Sequence, residues 1–412
     1  MRGQQAYRRP GRGHVGAAAA LAFCLGSALP AQPPMRALPT TADAPADNPT
    51  TAEKIALGRL LFWDPILSGH KDVACATCHH PDFGYAEPLD VSIGAHGQGL
   101  GTSRTFTSGQ PVRFVKRNSQ TLLNTAFNGI TASGTYAAAT APMFWDVRTQ
   151  GLEAQALEPI KAMEEMRGTA YSEADALATV VSRLTDNREY QTLFARAFGM
   201  PRAVSAENIG RALAAFQRSL LANNAPFDRY VRGDSSAMSA AQIRGMATFQ
   251  AVGCSNCHSG PMFSDYRTHV LAVPENAKLA VPDSGAKASF AFRTASLRNL
   301  AYSAPYMHNG TIATLPRVVQ FYARAGRGGG RGRGGGGAPD GTGGRGGGRG
   351  GFTQNPHVTR AQLDPFLFQL RLRGGRQDDL LAFLDALNDR EFDRTVPSRV
   401  PSGLKVGGAI GR

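Results

Sequence analysis

The sequence predicts a mainly α-helical protein made of two related halves, with long loops and little β-structure. Apolar residues recur at helical spacing in several segments, whereas the alternation typical of strands is scarce. The two halves are predicted because one order of features occurs twice: a helix containing a glycine, a Cys-x-x-Cys-His motif and a long loop. The 412 residues are enough for two domains, each with its own apolar core.

The first element, residues 1–31, has the features of a secretory signal peptide. Four arginines and no acid precede or flank a short apolar stretch at 15–25, and small residues offer cleavage near Ala28 or Ala31. The stretch is too short to cross a bilayer, and no later apolar run reaches about 18 residues. We therefore predict export to the periplasm and no membrane span. A lipid anchor at Cys24 is the alternative, disfavoured by the bulky residue before it.

Six helices are predicted after a Pro-rich linker. They are 51–62, 152–166, 172–184, 206–221, a helix after Ser239, and 378–388. In 206–221, Ile209, Leu213 and Phe216 fall on one apolar stripe that faces a core. We predict a domain boundary in the segment 223–234. It divides the mature chain into an N-terminal domain, 32–233, and a C-terminal domain, 234–412.

Residues 326–351 are mostly Gly and Arg, and they predict a disordered surface insertion because they lack apolar residues with which to fold. Such tracts can also bind RNA, which is one alternative function. The formal net charge of +14 does not support it strongly, because the signal segment and this insertion carry more than half of the excess. The remaining positive charge can steer an acidic protein partner. We predict no nucleic-acid partner.

The spacing of the cysteines indicates which cofactor the protein binds. Of the five cysteines, Cys24 lies in the predicted signal peptide and is removed with it. The other four lie in the two motifs, as Cys75, Cys78, Cys254 and Cys257. Cys-x-x-Cys-His attaches a c-type haem, because the two sulfurs reach the two vinyl groups and the next residue, here His79 or His258, ligates the iron. A zinc site would need a further close pair of Cys or His, which neither motif has. We therefore predict two covalent haems and no disulfide.

Several further motifs occur in an order that resembles the bacterial dihaem cytochrome c peroxidase family, which includes MauG. The motifs are 57–64 (LGRLLFWD), Arg117 with Asn118, 121–124 (TLLN), 144–146 (FWD), Gln155 with Pro159, Glu165 with Met166, 297–300 (LRNL), 304–310 (APYMHNG) and the closing 380–387 pattern. The resemblance covers nearly all of the mature chain. It implies two cytochrome-c-like haem domains packed against each other.

The resemblance further implies that hydrogen peroxide reacts at the N-terminal haem and that electrons enter through the C-terminal haem. His96 lies 17 residues after His79, close to where the family's peroxidases place a removable second iron ligand. The alternative is a solvated loop histidine. His80 is less suitable, because it neighbours the proximal ligand.

Gln155 and Glu165 match the polar pair of the family's peroxide pocket. Cleavage of the O–O bond needs a group that takes a proton from one oxygen and returns it to the other, and a carboxylate with a raised pKa can do this. Glu164 is the competitor, and a plain surface charge is the other alternative. Trp145 matches the aromatic residue between the haems that assists electron transfer, and a core tryptophan is compatible with the same role.

On the second haem the matching ligand position is Tyr322, with Met307 and His308 as rivals. The family's cytochrome c peroxidases often have Met there and its MauG-like members have Tyr; a phenolate favours oxidised iron. His96 thus favours the peroxidase type and Tyr322 the MauG type. The chain departs from the family's Asp-Gly-Arg at Val147, which puts the loop geometry there in doubt.

The family also binds Ca²⁺ between its domains, and Asn118, Ser303 and the backbone of Pro305 would supply oxygen ligands suited to that hard cation. The favoured function is reduction of hydrogen peroxide with electrons from a c-type cytochrome or a copper protein. The alternatives are MauG-like oxidation of a protein or organic substrate, and a dihaem electron carrier without catalysis. Assembly as a homodimer is left open.

Overall fold

The computed structural model describes residues 1–3, 35–109, 112–325, 355–372 and 375–411. The chain divides into two compact units, Met1–Gln32 and Pro33–Arg412, and the architecture below is that of the second. The predicted signal peptide lies almost wholly outside the described residues, and the predicted Gly/Arg insertion lies entirely outside them. In the described part of the chain, no helix is long and apolar enough to cross a membrane.

The described chain is mainly helical, as predicted. Its α-helices are α1 (Ala52–Trp63), α2 (Cys75–Cys78), α3 (Leu152–Gln155), α4 (Glu158–Lys161), α5 (Ala176–Thr185), α6 (Arg188–Phe198), α7 (Ala206–Ser219), α8 (Pro226–Val231), α9 (Ala240–Ala251), α10 (Leu315–Ala325) and α11 (Gln377–Asp385). Three antiparallel pairs of short strands complete it: β1 (Gly97–Gln98) with β2 (Thr105–Phe106), β3 (Pro142–Met143) with β4 (Thr149–Gln150), and β5 (Thr268–Val270) with β6 (Ala291–Arg293).

The helices predicted to start at 51, at 206 and after Ser239 begin within one residue of those positions, because their capping residues act locally. The helix predicted from 172 begins instead at Ala176. The Thr51 hydroxyl accepts a hydrogen bond from the Lys54 N–H at 3.3 Å, and Ser239 forms a capping box with Gln242. The prediction of one continuous helix at 152–166 is wrong. Pro159 cannot donate the hydrogen bond that would carry α3 onward and sits instead in the first turn of α4, while extended backbone at Ala162 ends α4. A π-helix, Met163–Arg167, follows.

One helix pair dominates each half, and a glycine permits each close approach. Helix α1 packs on α7, and α9 packs on α11. A Cβ atom on Gly58 would lie 2.0 Å from the Ala212 carbonyl oxygen, and one on Gly245 would lie 1.8 Å from the Asp379 carbonyl oxygen. The glycine that each half carries before its haem motif is therefore required for the two backbones to touch.

Each helix pair has its own core. Phe62 and Phe216 lie in the first core, and Phe249 and Phe383 occupy matching places in the second. The segment 223–234, predicted as a boundary, contains α8, whose Phe227 is fully buried in the second core.

The end of the chain returns to the first half. Val400 is buried in the first core, and the Gly407 N–H donates to the Trp63 carbonyl at 2.8 Å. The last residues of the predicted C-terminal domain therefore pack on N-terminal helices.

Candidate active site

The N-terminal cavity is built around the first Cys-x-x-Cys-His motif. Cys75, Cys78 and His79 all line it, because the single turn of α2 presents both sulfurs and the histidine that caps it. The His79 Nδ1–H donates to the Tyr85 carbonyl at 2.9 Å. This hydrogen bond fixes the ring orientation and leaves Nε2 as the nitrogen that can ligate a metal.

The C-terminal cavity repeats this arrangement. Cys254, Cys257 and His258 line it, and the His258 Nδ1–H donates to the Phe263 carbonyl at 3.0 Å. The second motif differs in one respect: the structure gives it a 3₁₀ turn, Cys254–Asn256, in place of an α-helical turn.

Both cavities fit a covalently attached haem. Each cavity is lined by the two cysteines and the histidine of one motif, which are the residues that attach a c-type haem and ligate its iron. Burial raises the pKa of the Cys75 and Cys254 thiols to about 12.

Gln155 and Glu165 both line the N-terminal cavity, at the end of α3 and within the π-helix. Burial is the main cause that raises the pKa of the Glu165 carboxyl to about 7, while Arg148 opposes the shift. A carboxyl with that pKa can both accept and release a proton near neutral pH. Glu164 lines the same cavity, so position alone does not separate the two glutamates.

An ion-pair cluster on the cavity wall was not predicted from the sequence. The Arg117 guanidinium contacts Asp283 at 2.5 Å and Asp146 at 2.8 Å. Burial opposes ionisation of both carboxyls, but the hydrogen bonds from Arg117 hold the pKa of each below its ordinary value. Arg117 and Asp283 are 166 positions apart, so no local pattern could have linked them.

Val147, next to this cluster, has a φ of +52°, in the left-handed region where a β-branched side chain is strained. The family's glycine at this position would adopt that conformation freely. Valine in place of glycine therefore strains the backbone of this loop. The loop still brings Asp146 and Arg148 to the cavity.

His96 is the one N-terminal site residue that the structure does not bring to the cavity. Of residues 93–107, all of which the structure describes, none lines it. The His96 ring lies instead beside His70, with ring centroids 4.2 Å apart. Its role as an iron ligand stays a prediction.

Tyr322, Met307 and His308 all line the C-terminal cavity together with His258. Burial raises the pKa of the Tyr322 hydroxyl above its ordinary value of 10.0. The His308 ring stacks on Phe292, with centroids 3.5 Å apart and planes 12° apart, so it already has an aromatic partner. Phe292 is a further residue that the sequence did not single out.

Trp145 lines both cavities. Its indole N–H donates to the Asn118 carbonyl at 3.1 Å, and its ring lies edge-on to His308 with centroids 6.5 Å apart. Trp145 is therefore the aromatic side chain shared by the walls of the two cavities.

The residues predicted to hold Ca²⁺ line one cavity. Asn118, Ser303 and Pro305 all border the C-terminal cavity. The Asn118 amide also donates to the Leu89 carbonyl at 2.9 Å, which orients its side chain.

Known proteins are similar to this chain in sequence and in fold. The sequence profile of the family described as di-haem cytochrome c peroxidase matches residues 52–236. The methylamine utilization protein MauG of Methylorubrum extorquens is 35% identical over 293 residues, which cover 70% of this chain and 73% of that protein. The chain belongs to the dihaem cytochrome c peroxidase family.

Two further relatives extend the match over most of the chain. The cytochrome-c peroxidase IdrP1 of Pseudomonas sp. strain SCT is 33% identical over 420 aligned positions, which cover 91% of this chain and 93% of that protein. The crystal structure of a MauG-like protein associated with microbial copper homeostasis superposes with a TM-score of 0.64 at 25% identity, covering 86% of this chain and 95% of that one. Membership confirms the predicted resemblance, the oxidoreductase class and the pair of c-type haems.

Proposed function

We propose that this dihaem peroxidase reduces hydrogen peroxide at the N-terminal cavity, with electrons that a small redox protein delivers to the C-terminal cavity. One observation carries the proposal. Trp145 borders both cavities, whereas the polar pair Gln155 and Glu165 borders only the N-terminal one among the described residues. The cavities thus share a wall residue but are chemically unlike, which favours different roles for the two haems over two equivalent electron carriers.

The residues of the N-terminal cavity would manage protons. Haem bound here would supply an iron centre that activates peroxide and accepts electrons, and His79 would ligate the iron. Reduction of one peroxide to two waters takes two protons and two electrons. Glu165 would take a proton from one peroxide oxygen and return it to the other, and the Gln155 amide would orient the peroxide. Arg148, which interacts electrostatically with Glu165, keeps its pKa from rising further.

Electrons would cross the shared wall. The stacked Phe292 and His308 rings and the nearby Trp145 indole form a continuous aromatic contact beside the C-terminal cavity. Burial lowers the pKa of His308 to about 3, so this ring is neutral and adds no charge to the path.

We propose that Tyr322 would be the second protein ligand of the C-terminal haem iron, together with His258. Its side chain lines the same cavity, and the His308 ring is already stacked on Phe292. A tyrosine ligand also supports a second candidate function, MauG-like oxidation of a protein or organic substrate at the surface. Ca²⁺ bound by Asn118, Ser303 and the Pro305 carbonyl would fix the loop that approaches Trp145.

Further proposals concern organisation and location. Two cytochrome-c-like domains, 32–233 and 234–412, are supported by the matching glycine-mediated helix pairs and the matching histidine hydrogen bonds. Periplasmic location is supported by the covalent-haem motifs and by the predicted signal peptide.

Replacing Glu165 with Gln tests the proton-transfer step. Peroxide turnover should fall by ~10²–10⁴-fold, because general acid–base catalysis contributes about that much. The wild-type rate should rise as pH rises through about 7, where the carboxyl becomes the base, and the variant should lose that inflection. The mass of the chain with its two haems should change only by the substitution. Glu164→Gln is the matched control; loss of turnover there, with retention in Glu165→Gln, would assign the role to Glu164.

Replacing Tyr322 with Phe tests the second ligand. The absorption and EPR spectra of the C-terminal haem should change, while those of the N-terminal haem stay as they are. If the spectra remain those of the wild type and Met307→Leu alters them, Met307 is the ligand.

A further inference from the structure

The loop that carries His96 is fixed by its backbone. The His96 N–H donates to the Asp72 carboxylate at 2.8 Å. Its carbonyl accepts from both the N–H and the hydroxyl of Thr107, at 2.9 and 2.7 Å. Both backbone polar groups of His96 are therefore occupied, and its φ of +61° is the left-handed conformation that these bonds impose.

Arg104 ties the two sides of this loop together. Only 2% of its surface is exposed. Its guanidinium donates to the carbonyls of Ile93 at 2.5 Å, Gly94 at 2.8 Å and Gly99 at 3.0 Å. These carbonyls lie on both sides of His96, so one buried cation holds the start and the end of the loop. Hydrogen bonds from a charged donor are stronger than neutral ones.

The His96 side chain is also held. Its ring packs on His70, and its Nε2 atom is buried without a hydrogen-bond partner. The ring would have to leave this contact before Nε2 could bind a metal ion. The exposed His70 ring lies close to the backbone of Gly168, where a Cβ atom would come within 2.8 Å of it.

The same loop contacts the backbone of the peroxide-side glutamates. A Cβ on Gly94 would lie 2.2 Å from the Glu164 carbonyl oxygen and 2.3 Å from that of Glu165. The loop and the π-helix are thus packed backbone to backbone. A movement that brought His96 into the cavity would break the Arg104 bonds and disturb the support of Glu165.

We propose that Arg104 is a positioning residue which, together with His70, keeps His96 off the iron of the N-terminal haem in the fully oxidised protein. This inference rests on the proposed function, since it concerns the same haem. His79 is then the only one of the two histidines that reaches the cavity, and the protein needs no prior reduction to accept peroxide.

The test is the spin state of the N-terminal haem in the oxidised holoprotein, prepared without reductant and measured by EPR and optical spectroscopy. Wild-type protein should contain a high-spin N-terminal haem. Arg104→Gln should raise the ratio of low-spin to high-spin haem at least ~10-fold, equal to ~1.4 kcal/mol. The double variant Arg104→Gln with His96→Ala should return to high spin, because the incoming ligand is gone.

Two further variants keep the result decisive. Arg113→Gln removes the same charge at an exposed position and should leave the spectra unchanged. If Arg104→Gln fails to fold, His70→Ala replaces it, because His70 is exposed and its loss should cause the same shift in the same direction.

A low-spin wild-type N-terminal haem that becomes high-spin in His96→Ala would overturn the proposal. So would variants at Arg104 and His70 whose spectra equal those of the wild type. Peroxide turnover is assayed separately on half-reduced protein, in which the second haem holds one electron. Absence of turnover there, with the expected spin changes present, would refute the proposed peroxidase function and leave the role of Arg104 standing.

Discussion

The substitution Gly245→Ala tests whether the close crossing of α9 and α11 holds the C-terminal half together. The new Cβ would lie 1.8 Å from the Asp379 carbonyl oxygen and 2.8 Å from the Phe383 Cβ. The helices would have to separate by roughly 1.5 Å, in an interior packed as densely as an organic crystal. Overpacking of this kind costs ~1–3 kcal/mol. Alanine gains ~0.5–1 kcal/mol over glycine inside a helix.

The expected net loss is therefore ~1–2 kcal/mol of unfolding free energy. Thermal unfolding of the holoprotein, followed by circular dichroism and by haem absorbance, should show a midpoint lowered by roughly 1 °C for each kcal/mol, because the unfolding entropy grows with chain length. Ala247→Gly, at an exposed position on the same helix, measures the helix-propensity effect alone. Gly58→Ala should behave as Gly245→Ala does. A higher midpoint in Gly245→Ala would show that propensity outweighs the contact and would refute this account of the crossing.

Two further predictions concern the wall of the N-terminal cavity. Val147→Gly should stabilise the protein by up to ~1 kcal/mol, because relief of ~1–2 kcal/mol of left-handed strain exceeds the ~0.5–1 kcal/mol entropic cost of glycine; an unchanged or lower unfolding midpoint would contradict this. Arg117→Gln should destabilise the protein by ~3 kcal/mol at neutral pH, since it leaves two carboxylates without their buried partner. Because Arg117 lowers the pKa of both carboxyls, the wild-type advantage should be complete above their unfolded values near 3.8 and vanish as pH falls through the lowered values. Chemical denaturation of both proteins across the acid range measures it, and a constant difference would be the contrary result.

The sequence was most informative where chemistry depends on local spacing. Cys75, Cys78 and His79 must follow one another for a haem to be attached, so the motif alone predicts the cavity wall on which they lie. Glu165 was predicted from its place beside Met166, and it does line the N-terminal cavity.

Features that depend on distant parts of the chain could not be predicted in this way. Arg117 meets Asp283 only in the folded chain, and the buried Arg104 looks in sequence like any loop arginine. The π-helix that carries Glu165 depends on Ala162 leaving the helical conformation, which neither periodicity nor propensity indicates. His96 has the right spacing for a ligand, but backbone bonds to Asp72 and Thr107 decide where its loop lies.

The two halves have matching helix pairs and haem motifs, but the wall that contains Trp145 makes their cavities different in construction. Among the described residues, the N-terminal cavity is lined only by positions from 62 to 217, whereas the C-terminal one borrows positions 118–145. In return, the far end of the chain, around Val400, completes the first core. If the polypeptide were cut between the two halves, the C-terminal fragment would lack part of the wall of its cavity. The N-terminal fragment would lack the residues around Val400 that complete its core. The two halves therefore complete each other and form a single interlocked body.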